Sequence, residues 1–114
     1  MNVIFHIDEQ EKWPLVLANV QNFANEMTSR AATYHILILA NGPAVRFLES
    51  KETVDKVKAV LDESRVALLL CRNALKGHAL LEHANLKTIT HEVVPAGVVA
   101  LAEKQQEGYA YIRP

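Results

Sequence analysis

The chain holds a single cysteine, Cys71, and the residues around it decide what chemistry the sequence can offer. It stands where the apolar run Val66-Ala67-Leu68-Leu69-Leu70 stops and the polar, helix-compatible stretch Arg72-Asn73-Ala74-Leu75-Lys76 begins. A sulfur at the carboxyl end of a buried strand, facing a helix amino terminus, is expected to be accessible and favoured as thiolate, because unpaired helix amides stabilise negative charge. Arg72 adds a guanidinium and Asn73 lies among the first helix amides, so thiolate or persulfide chemistry suits the pattern. A free cysteine serves equally as a small packed hydrophobe, and a lone arginine is ordinarily just solvated. Nucleophile and packing group therefore both stand as readings of Cys71.

Other residues carry weaker signals. His6, inside the apolar run Val3 to Ile7, is a candidate proton shuttle or ligand, although a histidine so placed is more often a hydrogen-bonded core or edge residue. His78, Glu82 and His83 resemble a metal cluster, but a spacing of five puts the two histidines on different helix faces, and no metal is expected. Asn41, Gly42 and Pro43 form a turn signal after an apolar run, as Pro95 and Gly97 do later, and such loops line pockets as well as reversing the chain. No G-x-G-x-x-G follows the first strand, and neither a P-loop nor G-x-S-x-G occurs, so nucleotide and flavin binding are disfavoured and no cofactor is expected.

The elements that must position these residues follow from periodicity. Val3 to Ile7 reads as a strand. Pro14 opens a long amphipathic helix, with Trp13, Val16, Leu17, Val20, Phe23, Ala24 and Met27 at helical spacing, ending near Arg30. Tyr34 to Ala40 is a second strand, followed by a short helical turn and then a helix capped by Ser50 with Val54, Val57, Val60 and Leu61 on its apolar face. Val66 to Leu70, apolar on both faces, reads as a central third strand. A helix is expected from Asn73 to about His83, a fourth strand from Lys87 to Val94, a last helix after Pro95 stopped by Gly108, and a short strand at Tyr109 to Ile112. Strand and helix alternate throughout, which predicts an α/β fold: a three-layer α/β/α sandwich around a mainly parallel five-stranded sheet with right-handed crossovers. Ligands bind such sheets beyond the carboxyl ends of the strands, where the strand order reverses. The loops at His6, Asn41, Cys71 and Val94 are therefore the ones that matter.

Composition narrows the setting. The 114 residues, half of them hydrophobic, suit one domain, and a net charge of −1 from 12 basic and 13 acidic residues gives no basis for binding a phosphate backbone. One cysteine makes no internal disulfide, the start lacks a signal-like pattern, and no segment reaches the roughly 18 apolar residues of a membrane span. A cytoplasmic protein that binds neither nucleic acid nor membrane is expected.

In combination, Val3-Ile4-Phe5-His6-Ile7-Asp8, Trp13-Pro14-Leu15 with Asn19-Val20 and Asn22, Ala40-Asn41-Gly42-Pro43-Ala44-Val45, Cys71-Arg72-Asn73-Ala74-Leu75, Val94-Pro95-Ala96-Gly97-Val98 and Gly108-Tyr109-Ala110-Tyr111-Ile112 resemble the DsrE/DsrF-like family. The resemblance spans nearly the whole chain and is greatest to the small, stand-alone branch. It implies the three-layer fold, assembly as a trimer or hexamer, and, in sulfur-transferring members, a cysteine that takes a sulfane sulfur from a donor protein and passes it to an acceptor protein. Cys71 is the position that would carry that role. Arg72, Asn73, His6, Asn41, Gly42, Pro95 and Gly97 are the residues expected to stabilise the anion or line the pocket. The alternative is a non-enzymatic binding or assembly module in which Cys71 only packs.

Overall fold

A computed structural model describes residues 1–114. Five strands, β1 (Asn2–Ile7), β2 (His35–Ala40), β3 (Val66–Cys71), β4 (Glu92–Val94) and β5 (Ala110–Ile112), form one sheet in the order β4-β3-β2-β1-β5, every pair parallel. The helices are α1 (Trp13–Ser29), α2 (Lys51–Val60), α3 (Arg72–Gly77) and α4 (Gly97–Gln106), with a 3-10 segment Gly42–Glu49 between β2 and α2. No helix is long and apolar enough to cross a membrane.

The strand order decides where the helices go. From β1 to β4 each strand is added on the same side, so right-handed crossovers stack the intervening helices on one face; the return from β4 to β5 reverses direction and puts α4 on the other. The two cores match this division. Val3, Phe5 and Ile7 of β1, Ile36, Ile38 and Ala40 of β2, and Val66, Leu68 and Leu70 of β3 share a core of 22 buried residues with Trp13, Val16 and Val20 of α1, Val54 and Val57 of α2, and Leu75 of α3. On the opposite face only six residues are fully buried together: Ile4, Leu37, Leu39, Leu69, and Ala100 and Leu101 of α4. The three layers are therefore unequal, since one helix covers the second face alone.

Local chemistry accounts for the element ends. Ser50 Oγ accepts the N–H of Thr53 and starts α2 as its sequence suggested. Trp13 is buried under the 3-10 segment, where its indole N–H donates to the Ala44 carbonyl at 2.9 Å. Helices α1, α3 and α4 end alike: a left-handed residue, Ala31, Ala79 or Gly108, is followed by an N–H that closes a wide turn onto Met27, Leu75 or Lys104.

Three expectations are corrected. The central strand is β2, whereas β3 lies between β2 and the edge strand β4; residues 36–40 and 66–70 are both apolar throughout, so hydrophobicity does not rank the two strands. The helix expected from Asn73 to about His83 stops at Gly77, because Ala79 turns left-handed and seats Leu80 in the larger core. The strand expected from Lys87 is a 3-10 turn over Ala84–Thr88, and pairing begins only at Glu92. There Asn85 Nδ2 donates to the Leu48 carbonyl and Thr88 Oγ1 to the Asn85 carbonyl, side-chain bonds that compete with a ladder.

Candidate functional site

Parallel strands end along one rim of the sheet, and the loops leaving that rim define the site. After β3 the chain enters α3 on the larger-core face, and after β4 it enters α4 on the other. These strands are neighbours, so their loops part to opposite faces at the topological switch point, where such sheets bind ligands. Cys71 ends β3 at this point, in register with Val94.

Alternation along β3 sends Val66, Leu68 and Leu70 into the larger core and Cys71 toward α4. Its sulfur accepts the backbone N–H of Gly97 at 3.3 Å. That amide opens α4 and has no partner within the helix, so Cys71 caps the helix end. A Cβ on Gly97 would lie 3.2 Å from the Cβ atoms of Asn41 and Cys71 and from Leu39 Cδ2. Glycine is what lets the helix start approach the sulfur so closely.

The same rim carries a second group. His6, on the α4 face of β1, is 9% exposed and bonded at both ring nitrogens: Nδ1 to Tyr111 Oη at 2.6 Å and Nε2 to Asn41 Oδ1 at 2.9 Å. Asn41 is held beside β1 by its N–H to the Ile7 carbonyl, and the following Gly42 takes φ +53°, where a Cβ would stand 3.4 Å from the Asp8 carbonyl oxygen. The fold thus gathers His6, Asn41, Gly42, Cys71 and Gly97 from four strand ends.

Two expected neighbours stand apart. Arg72 and Asn73 are exposed and make no hydrogen bond to Cys71, because they begin α3, whose Leu75 packs into the larger core. The helix amide that reaches the sulfur comes from Gly97 of α4 and not from α3. Pro95 is exposed on the loop leading to it. Accessibility also differs from expectation, since Cys71 is only 6% exposed beneath the start of α4.

Sequence reasoning missed Tyr111 as a site residue. Its role depends on β5 pairing beside β1, with Tyr111 opposite Ile4, a long-range register that no local pattern specifies. The repeat Tyr109-Ala110-Tyr111 was the available signal, because residues two apart in a strand share a face. Tyr109 Oη makes the equivalent 2.6 Å bond to Nδ1 of His35. No group of three His, Cys, Asp or Glu is gathered to hold a metal ion; His83 Nδ1 instead accepts the Asn85 N–H.

A groove of about 620 Å³ lies elsewhere on the α4 face. Its floor includes Leu37 of β2 and Ala67 and Leu69 of β3, with His35, Lys104 and Tyr109 alongside; Cys71 does not line it.

Comparison with known proteins agrees with this fold. The structure of the protein of unknown function MTH1491 from Methanobacterium thermoautotrophicum is similar with a TM-score of 0.81 and 28% identity, over 99% of this chain and 98% of that one. The conserved protein of unknown function BT1422 from Bacteroides thetaiotaomicron shares the fold with a TM-score of 0.72 at 13% identity, over 99% and 94% of the two chains. No curated protein is a significant match. The DsrE/DsrF-like family matches residues 4–114 of the sequence, and the chain belongs to that family.

Proposed function

We propose that the protein is a sulfur carrier in which Cys71 holds a sulfane sulfur as persulfide. The family is associated with sulfur relay in general, and the bond from the Gly97 N–H to Cys71 Sγ is the observation that carries the reading to this residue. In the loading step the Cys71 thiolate attacks the outer sulfur of a donor persulfide. A sulfur–sulfur bond forms at Cys71, the donor's own sulfur–sulfur bond breaks, and the donor leaves as thiolate. An acceptor thiolate then attacks the outer sulfur, and Cys71 returns to thiolate. No oxidant is consumed. The Gly97 amide stabilises the sulfur anion before loading and after release.

Incubating the reduced protein with cysteine persulfide tests this. Mass spectrometry is expected to find one added sulfur on the peptide containing Cys71 and none in Cys71→Ser. An unmodified Cys71 in folded protein would count against the proposal.

The burial of Cys71 and the position of the 620 Å³ groove away from it favour a second reading, a small-molecule binding module in which the sulfur packs and caps α4. Under it, Cys71→Ser keeps ligand binding and changes stability by no more than about 1–2 kcal/mol.

Donor and acceptor proteins and assembly as a trimer or hexamer complete the proposal. Support for assembly comes from apolar side chains left in solvent: Val98 and Val99 on α4 are 66% and 54% exposed, and Tyr111 and Ile112 line the β5 edge.

A further inference from the structure

We propose that Tyr111 and His6 are positioning residues that hold the Asn41 side-chain amide as a hydrogen-bond donor beside the start of α4, where it recognises the anionic outer sulfur of a persulfide on Cys71. The inference rests on the persulfide reading and supplies what that reading lacks, a donor for the outer sulfur in addition to the Gly97 N–H at the inner one.

A phenol is a better donor than acceptor, so the 2.6 Å contact between Tyr111 Oη and His6 Nδ1 is an O–H donating to a bare ring nitrogen. A neutral imidazole whose Nδ1 accepts carries its proton on Nε2. That N–H donates to Asn41 Oδ1 at 2.9 Å. With the carbonyl oxygen turned to His6, the Asn41 amide nitrogen is turned away from it, and the asparagine side chain makes no other hydrogen bond in the protein.

Position supplies the rest. Asn41 and Cys71 flank Gly97, their Cβ atoms each 3.2 Å from the point a Gly97 Cβ would occupy. The Asn41 carboxamide and the Cys71 sulfur thus border the same helix start. The His35 and Tyr109 pair makes the same phenol-to-imidazole contact, yet no carboxamide continues it. Attachment of β5 alone therefore does not account for Asn41.

Two measurements test the proposal. In the reduced protein, nitrogen NMR of the imidazole is expected to show His6 protonated at Nε2 only, with both tautomers populated in Tyr111→Phe. A wild-type His6 protonated at Nδ1 would overturn the lock. Next, Cys71 is loaded with cysteine persulfide and the half-life of its outer sulfur is followed by mass spectrometry, with thermal midpoints in parallel. Asn41→Asp keeps an acceptor for His6 but replaces the donor with negative oxygen, and is expected to shorten that half-life about tenfold or more, as loss of a charge-assisted bond implies. Asn41→Ala and Tyr111→Phe shorten it less, at nearly unchanged midpoints. An unaltered half-life in folded Asn41→Asp would overturn the role of Asn41 while leaving the persulfide intact. A wild-type protein that never loads would overturn the persulfide reading and this inference together.

Discussion

Gly97 and Cys71 meet across the gap between β3 and β4, the glycine N–H directed at the thiol sulfur 3.3 Å away and no side chain on the glycine to hold them apart. Two loops that diverge to opposite faces of the sheet are tied together by this contact.

A methyl group at Gly97 would press on three neighbours at 3.2 Å. Gly97→Ala is expected to cost roughly 1–3 kcal/mol, the range for overpacking a filled site. It should also slow sulfur loading at Cys71 by moving the amide. Urea unfolding followed by a loading assay separates the two effects, and a variant as stable as wild type would show that the helix start shifts freely.

Ala79 ends α3 at φ +56° and Ala31 ends α1 at φ +53°, in the region where a Cβ is disfavoured by roughly 1–2 kcal/mol. Glycine relieves that strain but loses more freedom on folding, so Ala79→Gly is expected to stabilise the protein by about 0.5–1 kcal/mol net. Thermal unfolding measures this directly; a lowered midpoint would contradict it.

Acid stability should include a local contribution from Asp62. Its Oδ1 accepts the backbone N–H of Ser64 at 3.0 Å and the Ser64 hydroxyl at 2.9 Å, and these bonds hold its carboxyl below the usual carboxylate range. A lowered folded-state value means that the stabilisation is present at neutral pH and is lost as pH falls through that value. Asp62→Asn should therefore be less stable than wild type near neutrality, with the gap closing in acid. A gap that widens on acidification would reverse the assignment. Because the group lies in solvent, the effect is small.

Assembly gives a simple observable. Light scattering is expected to show a trimer or hexamer of the 12.7 kDa chain, and Val98→Lys together with Val99→Glu to reduce it. A monomer at every concentration would rule assembly out.

Much of this architecture was legible in the sequence because it rests on local signals. The five strands and the alternation with helices follow from apolar runs and caps such as Ser50. The rim loops at Asn41, Cys71 and Gly97 follow from the rule that parallel sheets use their carboxyl ends. What escaped depends on distant or weak signals. Ala79 gives no warning that it will take a glycine's conformation, so α3 was read too long. The bond from Asn85 to Leu48 spans separate elements, so the turn before β4 was read as strand. Arg72 adjoins Cys71 along the chain, yet strand alternation sends the cysteine to one face while α3 packs on the other. The neighbours that count, Gly97 and Asn41, arrive from other strands.

The most direct measurement follows radiolabelled sulfane sulfur from a persulfide donor onto the reduced protein and then to an added thiol. The account predicts stoichiometric label at Cys71, absent in Cys71→Ser, that leaves with the acceptor thiol and restores the free cysteine. Folded protein that never acquires label at Cys71 would contradict it.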